Sequence, residues 1–152
     1  MIRKFFIPQA EKVYEVTNDD LPEVRKKVLL LDDDETLAKL LQEFLESNAF
    51  EVTVVQTGVD GIKKVMAGDF DVILCDMMMP KMPGDMFYLA VERARPHLCK
   101  RFVFMTGYKG DPKIDAFIRQ VKGLMLWKPF EMHLLLDAIN VILKKVQASA
   151  VK

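Results

Sequence analysis

Short runs of apolar residues recur along the chain, and a stretch with helical periodicity separates each run from the next. The runs occupy residues 28–31, 52–55, 72–75, 102–105 and 124–127, and Thr53 is the one polar residue within them. Strands that are apolar throughout are typical of parallel sheets covered on both faces, because the helices between such strands pack against them. The pattern therefore predicts a doubly wound α/β fold, with a five-stranded parallel sheet and helices on both of its faces.

The helical segments are predicted near residues 37–45, 59–67, 85–95, 114–121 and 131–146. The first segment has an apolar face at helical spacing, which consists of Leu37, Leu40, Leu41, Phe44 and Leu45. The last segment has a comparable face, which consists of Leu135, Ala138, Ile139, Ile142, Leu143 and Val146. We expect these faces to pack against the sheet.

The start of the chain has a different pattern from the rest. Residues 1–26 show no sustained period, because Pro8 and Pro22 interrupt it. We expect this segment to be an N-terminal extension or a linker, followed by one domain over residues 27–147 and a short C-terminal tail over residues 148–152. A chain of 152 residues, 51% of them hydrophobic, can bury one core and is too short for two domains of ordinary size.

Charge and hydropathy limit what the chain is expected to bind. It has 22 Lys and Arg and 22 Asp and Glu, so no overall field attracts nucleic acid, and we expect no direct nucleic-acid binding. The apolar runs are far shorter than the roughly 18 residues that span a bilayer, which predicts no membrane insertion. Pro8 and Glu11 interrupt the only signal-like stretch, so we expect a cytoplasmic protein. Cys75 and Cys99 are predicted to be free thiols.

Polar residues follow four of the predicted strands. Asp32, Asp33 and Asp34 follow the first strand, Asp76 the third, Thr106 the fourth and Lys128 the fifth. In a sheet with the flavodoxin-like strand order 2-1-3-4-5, ligands bind beyond the carboxyl ends of the strands, at the switch point between strands 1 and 3. We therefore expect these side chains to converge in one pocket.

The residue types in this pocket are suited to phosphoryl chemistry. Clustered carboxylates repel one another unless a hard cation with oxygen ligands compensates them, and Mg²⁺ is the expected cofactor. A carboxylate beside Mg²⁺ can attack a phosphoryl group while Lys128 neutralises its oxygens and Thr106 donates a hydroxyl hydrogen bond. Taken singly, the aspartates at 32–34 are equally typical of a helix cap, and Asp76 of a turn. The agreement of four strand ends favours a phosphoryl site.

These residues resemble the receiver domains of two-component response regulators, over about residues 27–147. Asp32 and Asp33, at the end of the first strand, match the acidic pair of that family. Asp-Met-Met-Met-Pro-Lys-Met-Pro-Gly at residues 76–84 matches its D-x-x-M-P-x-M-x-G signature. Phe-Met-Thr-Gly-Tyr at 104–108 matches the position of its switch Thr or Ser, and Trp-Lys-Pro-Phe at 127–130 matches that of its lysine.

The resemblance implies a phosphoacceptor signalling domain that assists its own phosphorylation and dephosphorylation and is not otherwise an enzyme. Asp76 would accept the phosphoryl group from a histidine kinase or phosphotransfer protein, with Thr106 and Lys128 as its catalytic partners. The face made by the fourth helix, fifth strand and fifth helix of the domain would then bind a downstream target protein. Output would pass through protein contacts, from a stand-alone receiver or from one excised from a larger protein.

The resemblance also implies a ligand set for the metal. Asp33, Asp76 and the backbone carbonyl of Met78 would bind Mg²⁺, with Asp32 acting partly through water. A cis peptide before Pro129 is implied as well.

The sequence departs from the family pattern at two places. Many receivers have Tyr or Phe three residues before the lysine, where this chain has Met125 and instead carries Trp127 next to Lys128. Pro83 replaces the more usual Asp or Ser before Gly84, which should stiffen the loop.

Two other functions compete with this interpretation. Asp32-x-Asp34-x-Thr36 also fits the D-x-D-x-T motif of haloacid-dehalogenase-type phosphohydrolases, with Asp32 as nucleophile and Asp34 as general acid and base. No acidic pair follows a later strand to complete the metal site of such an enzyme, and the signature around Asp76 would have no role. The other alternative is a receiver-like scaffold that binds partners without phosphorylation, which the complete set of site residues disfavours.

Overall fold

The computed structural model describes residues 3–7, 12–16 and 24–150. The strands are β1 (Arg3–Ile7), β2 (Lys12–Val16), β3 (Lys26–Leu31), β4 (Phe50–Val55), β5 (Val72–Asp76), β6 (Phe102–Thr106) and β7 (Leu124–Trp127). The helices are α1 (Glu35–Ser47), α2 (Gly58–Ala67), α3 (Gly84–Ala94), α4 (Pro112–Val121) and α5 (Met132–Ala150), and a 3₁₀ helix (Pro96–Arg101) lies between α3 and β6.

Strands β3 to β7 form one parallel sheet in the order β4-β3-β5-β6-β7. Counted from β3, this is the predicted order 2-1-3-4-5, so the predicted fold class is confirmed. β3 pairs with β4 on one side and with β5 on the other. After β4 the chain therefore crosses to the other side of β3, where it adds β5, β6 and β7 in turn. The switch point therefore lies at the carboxyl ends of β3 and β5, where polar side chains were predicted to meet.

Helices cover the sheet on both faces and form two apolar clusters with it. Val28 and Leu30 of β3 belong to the cluster under α1 and α5, whereas Leu29 and Leu31 belong to the cluster under α2, α3 and α4. This division follows from the alternation of side chains along a strand. All four residues are fully buried, which explains why β3 is apolar from Val28 to Leu31 and not alternately polar.

Side-chain caps begin several of the helices. Asp34 precedes α1, and its carboxylate accepts a hydrogen bond from the Leu37 N–H at 3.1 Å. Thr57 caps α2 in the same way through the Asp60 N–H, and Asp111 caps α4. Each cap satisfies an amide that has no partner within its helix. Of the aspartates at 32–34, Asp34 is thus the one that performs the capping role.

The two ends of the chain contain more regular structure than the sequence pattern indicated. β1 and β2 form an antiparallel pair, with Phe5 opposite Tyr14, inside the segment predicted as an extension or linker. α5 continues to Ala150, beyond the predicted end near residue 146 and into the predicted tail. The domain boundaries themselves remain predictions. In the part of the chain that the structure describes, no helix is long and apolar enough to cross a membrane, and Cys75 and Cys99 are free.

A polar cluster at the amino-terminal end of the sheet connects the loop before β5 to the residues of the 3₁₀ helix and its start. Asp69, just before β5, lies 3.1 Å from His97 Nε2, 3.4 Å from Arg101 and 3.7 Å from Arg95. Arg101 also donates to the Phe70 carbonyl at 2.7 Å. Burial alone would raise the pKa of Asp69, but the His97 hydrogen bond and the arginine charges outweigh it and lower the pKa below its usual 3.8. The loop before β5 is thus tied to the 3₁₀ helix.

Replacing Gly84 by alanine is expected to destabilise the domain. A Cβ at Gly84 would lie 2.7 Å from the Asp76 carbonyl oxygen and 2.9 Å from Met77 Cα, and backbone atoms cannot move away cheaply. We expect Gly84→Ala to cost about 1–3 kcal/mol, as overpacking of a close contact does, in urea denaturation. The matched control is Gly68→Ala, because a Cβ there meets no atom within 4 Å. Equal stability of the two variants would contradict the packing argument.

The Asp69 cluster is expected to make stability depend on pH. Because the folded pKa of Asp69 lies below 3.8, its contribution is present above that value and is lost as the pH falls through the folded pKa. Asp69→Asn should reduce the free energy of unfolding at pH 7 by less than about 1 kcal/mol, since the carboxylate is largely exposed. The difference between wild type and variant should shrink below pH 3.8. A difference that is constant across this range would show that the charge has no role.

Candidate functional site

Three side chains from three different strand ends meet at the switch point of the sheet. Asp32 follows β3, Asp76 ends β5, and Lys128 follows β7. The Lys128 ammonium donates to Asp32 Oδ2 at 2.8 Å and to Asp76 Oδ2 at 3.2 Å. The structure therefore brings together the first, third and fifth strand ends of the domain through one cation.

Backbone amides hold the second oxygen of each aspartate. Asp32 Oδ1 accepts a hydrogen bond from the Asp34 N–H at 3.0 Å, and Asp76 Oδ1 accepts one from the Met78 N–H at 3.0 Å. Asp32 is fully buried and Asp76 is only 4% exposed. Both carboxylates are thus fixed in orientation, and the small exposed part of Asp76 is its remaining access to solvent.

Asp33 completes a group of three carboxylates. One oxygen from each of Asp32, Asp33 and Asp76 lies within 4.8 Å of the others, and Asp33 is exposed. Two oxygens on opposite sides of a bound Mg²⁺ are about 4.2 Å apart, from its ligand distances of roughly 2.1 Å. An all-oxygen donor set at this spacing fits a hard divalent cation after small side-chain adjustments.

Thr106 lies at the end of the neighbouring strand. It is fully buried, and its hydroxyl oxygen accepts a hydrogen bond from the Tyr108 N–H at 3.2 Å. Its carbonyl accepts from the Lys128 N–H at 2.7 Å, which ties the β6 and β7 ends together. Met105, one residue earlier, is opposite Asp76 in the sheet register. A hydroxyl that accepts one hydrogen bond can still donate its hydrogen to a ligand.

Burial and neighbouring charges have opposite effects on the two kinds of ionisable group. Burial raises the pKa of Asp76 above its usual value, Asp32 adds to the increase, and the Met78 N–H and the Lys128 charge oppose it without cancelling it. Burial alone would lower the pKa of Lys128, but its contacts with Asp32 and Asp76 raise the pKa above the usual value. The lysine therefore stays charged, and it stabilises the two buried carboxylates.

The site contains two further features of the predicted pattern. The Lys128–Pro129 peptide is cis, as the family resemblance implied. Met125 and Trp127, the two departures on β7, are half-buried in the edge strand and line a cavity of about 230 Å³ with Ile118 and Arg119 of α4. These two departures thus fall on the edge of the sheet, whereas the third departing residue, Pro83, precedes α3 in the loop after β5.

Sequence reasoning missed two contributions of the loop after β5. The Met78 carbonyl was expected to be a metal ligand, but the hydrogen bond from the Met78 N–H to the Asp76 carboxylate was not anticipated. Sequence reasoning also did not anticipate that Gly84 is required for close approach to the Asp76 backbone. The spacing of the 76–84 segment was the available signal, but only the folded loop shows which backbone atoms come close.

Comparisons with known proteins agree with this architecture. The family model described as "Response regulator receiver domain" matches residues 28–140. The transcriptional regulatory protein RprY of Bacteroides fragilis is 30% identical over 80% of this chain and 50% of its own length. The sensor kinase CckA of Brucella abortus is 24% identical over 93% of this chain and 16% of its own. The chain thus spans half or less of the length of these curated relatives.

Solved structures give the same result. A CheY-like response regulator receiver domain protein from Methanospirillum hungatei superposes with a TM-score of 0.76 at 24% identity, over 83% of this chain and 99% of that one. The chemotaxis protein CheY4 of Vibrio cholerae gives a TM-score of 0.71 at 26% identity, over 78% of this chain and 99% of that one. With the match of the family model to most of the described domain, these similarities show that the chain belongs to the response regulator receiver domain family.

Proposed function

We propose that this receiver domain accepts a phosphoryl group on Asp76, from a histidine kinase or phosphotransfer protein of a two-component phosphorelay, in a Mg²⁺-dependent reaction. The contact of Lys128 with both Asp32 and Asp76 carries the proposal. It places a fixed positive charge beside a nearly buried carboxylate whose orientation the backbone holds. This is the arrangement that a phosphoryl acceptor needs, because negative charge accumulates at the reacting group.

The transfer forms one bond and breaks another. A carboxylate oxygen of Asp76 attacks phosphorus, an acyl phosphate O–P bond forms, and the P–N bond to the donor histidine breaks with its electron pair leaving on the imidazole. Lys128 and the Thr106 hydroxyl bind the phosphoryl oxygens, so the Lys128 contact with Asp76 is exchanged for one with the phosphoryl group. Water later hydrolyses the acyl phosphate and regenerates the carboxylate.

Asp32, Asp33 and Asp76 are the side chains that would hold Mg²⁺, with the Met78 carbonyl as a backbone ligand. When bound, the ion neutralises charge on the phosphoryl oxygens. Their oxygen-only spacing within 4.8 Å supports this assignment. The residues have unequal roles in the fold: Asp32 is buried and paired with Lys128, whereas Asp33 is exposed and free to contribute its charge to the cation.

The geometry does not favour the phosphohydrolase alternative. A nucleophilic Asp32 would have to be reached by a phosphoryl substrate, but its side chain is fully buried, whereas part of the Asp76 side chain is exposed. The general acid and base of that mechanism would be Asp34, whose carboxylate instead caps α1. The scaffold alternative is disfavoured by the intact set of Asp76, Thr106 and Lys128.

Output is proposed to pass through the face made by α4, β7 and α5. Lys128 and the phosphoryl site lie directly after β7, so a change at the site reaches this edge strand first. The half-buried side chains of Met125 and Trp127 border a small cavity beside α4 that a shift of α4 would alter. We propose a downstream protein as the partner of this face, with no direct role for nucleic acid, and a cytoplasmic location.

The first test is the intact mass of the protein after incubation with acetyl phosphate and Mg²⁺. We expect wild type to gain one phosphoryl group and Asp76→Asn to gain none, because the amide cannot form the acyl phosphate. Asp32→Asn makes the same change on the other lysine partner; it should slow the gain, because Asp32 belongs to the proposed Mg²⁺ set, but it leaves the acceptor in place. Catalytic phosphate release without an adduct, stopped only by Asp32→Asn, would establish the phosphohydrolase and overturn the proposal.

Mg²⁺ is expected to stabilise the folded domain, independently of any phosphoryl transfer. At a free concentration about a hundred times its dissociation constant, a ligand of the folded state adds roughly 2.7 kcal/mol to the free energy of unfolding. We expect Asp33→Ala to remove most of this increase in thermal or urea denaturation, with little change in metal-free stability because Asp33 is exposed.

Asp34→Asn is the control for this measurement, because it removes a neighbouring charge while asparagine still caps α1. It should retain the stabilisation by Mg²⁺. If Asp33→Ala retains it equally, the metal assignment is wrong even where Asp76 is phosphorylated.

A further inference from the structure

A second cavity lies at the opposite end of the sheet from Asp76. It occupies about 860 Å³ and is lined by residues at the start of β6 and β7, by the 3₁₀ helix and by the end of α5. Small-molecule sites in proteins have volumes of roughly 300–1,000 Å³. The cavity is therefore large enough for a ligand, and none of the residues proposed for phosphorylation lines it.

The lining combines an apolar interior with a basic edge. Half-buried Val121, Leu124 and Val146 form part of the wall, and the buried rings of Tyr88 and Phe102 lie behind it. The basic residues that line it are His97, Lys100, Arg101, Lys122 and Lys145. None of its described lining residues is acidic, although the chain as a whole has equal numbers of acidic and basic residues.

Not all of these basic side chains are available to a ligand. Arg101 and His97 contact Asp69 at 3.4 and 3.1 Å. The lysines at 100, 122 and 145 are exposed, and within residues 24–150 none of them forms an ion pair. They come from the 3₁₀ helix, the end of α4 and α5, so the fold and not the sequence gathers these three lysines around one apolar cavity. Glu92, whose charge acts on the lining residues Tyr88 and Cys99, is not itself part of the lining.

We propose that this cavity binds a small amphipathic organic anion, in which an apolar ring or short chain carries a carboxylate, sulfonate or phosphate group. The apolar part enters between β7, the 3₁₀ helix and α5, and the anionic group contacts the lysines at the edge. A purely apolar ligand would make no contact with the lysine ammonium groups, and an inorganic anion would leave the apolar wall exposed to water. This site is separate from the phosphoryl site and goes beyond the proposed function.

The dye 8-anilinonaphthalene-1-sulfonate is a suitable probe, because it joins aromatic rings to one sulfonate. We expect saturable fluorescence enhancement with wild type that weakens with salt. Lys122→Glu and Lys145→Glu should each weaken binding on the order of thirty-fold, because the reversal changes the charge by two units and each unit a few ångströms away in water is worth about five-fold. Lys63→Glu, the same change on an exposed lysine of α2 outside the cavity, should have no effect. Because all three lysines are exposed, the variants should fold.

Cys99 provides an independent readout of position, since it lines the cavity and is half-buried, whereas Cys75 is fully buried. Burial raises the pKa of the Cys99 thiol, so alkylation by iodoacetamide is followed at a fixed alkaline pH and located by peptide mass. The dye should slow alkylation of Cys99 in wild type and in Lys63→Glu, and much less in Lys145→Glu at the same dye concentration.

The neutral analogue N-phenyl-1-naphthylamine separates anion recognition from binding to an apolar surface. It should bind more weakly than the sulfonate and should be insensitive to the lysine substitutions. Absence of dye binding, equal affinity in all three lysine variants, or unchanged alkylation of Cys99 would each overturn the proposal. These outcomes do not depend on whether Asp76 is phosphorylated.

Discussion

The contact of Lys128 with two buried aspartates is the interaction on which the site depends. Lys128 lies 96 residues from Asp32 and 52 residues from Asp76 in sequence, so only the completed sheet can bring the three together. Buried carboxylates are tolerated when they are paired, and removing one partner of such an arrangement costs about 3–5 kcal/mol. The Lys128 ammonium, to which we assign a role in binding the phosphoryl group, is therefore also a structural requirement of the strand ends.

The site is nevertheless not electrically balanced by its own residues. Asp32, Asp33 and Asp76 carry three negative charges when ionised, and Lys128 supplies one positive charge, which leaves a net charge of −2. Burial, with a smaller contribution from the Asp32 charge, raises the pKa of Asp76 despite the Met78 N–H and Lys128. A divalent cation would compensate the two excess negative charges. The charge count thus supports Mg²⁺ independently of the family resemblance.

The sheet and the meeting of polar residues at its strand ends could be predicted because both depend on local pattern. A strand buried on both faces must be apolar until it leaves the sheet, so its first polar residue marks its carboxyl end, as Asp76 and Thr106 do. The chain ends could not be predicted in this way. β1 and β2 contain charged residues among apolar ones, and their regularity comes from pairing with each other. Residues 147–150 have no apolar period, yet they can extend α5 because Gln, Ala and Ser are all compatible with a helix.

The basic cavity could not be predicted for a different reason. Its lysines are separated by more than one element of the chain, and the equal totals of acidic and basic residues conceal any local excess. At both ends of the sheet, residues that are distant in sequence lie close together. Only at the carboxyl end do the residue types, Asp, Thr and Lys, indicate a particular chemistry. β6 joins the two ends, because Phe102 lies behind the cavity and Thr106 lies at the proposed phosphoryl site. These two residues are four positions apart and on the same face of one strand, so any ligand in the cavity packs against the strand that also carries Thr106.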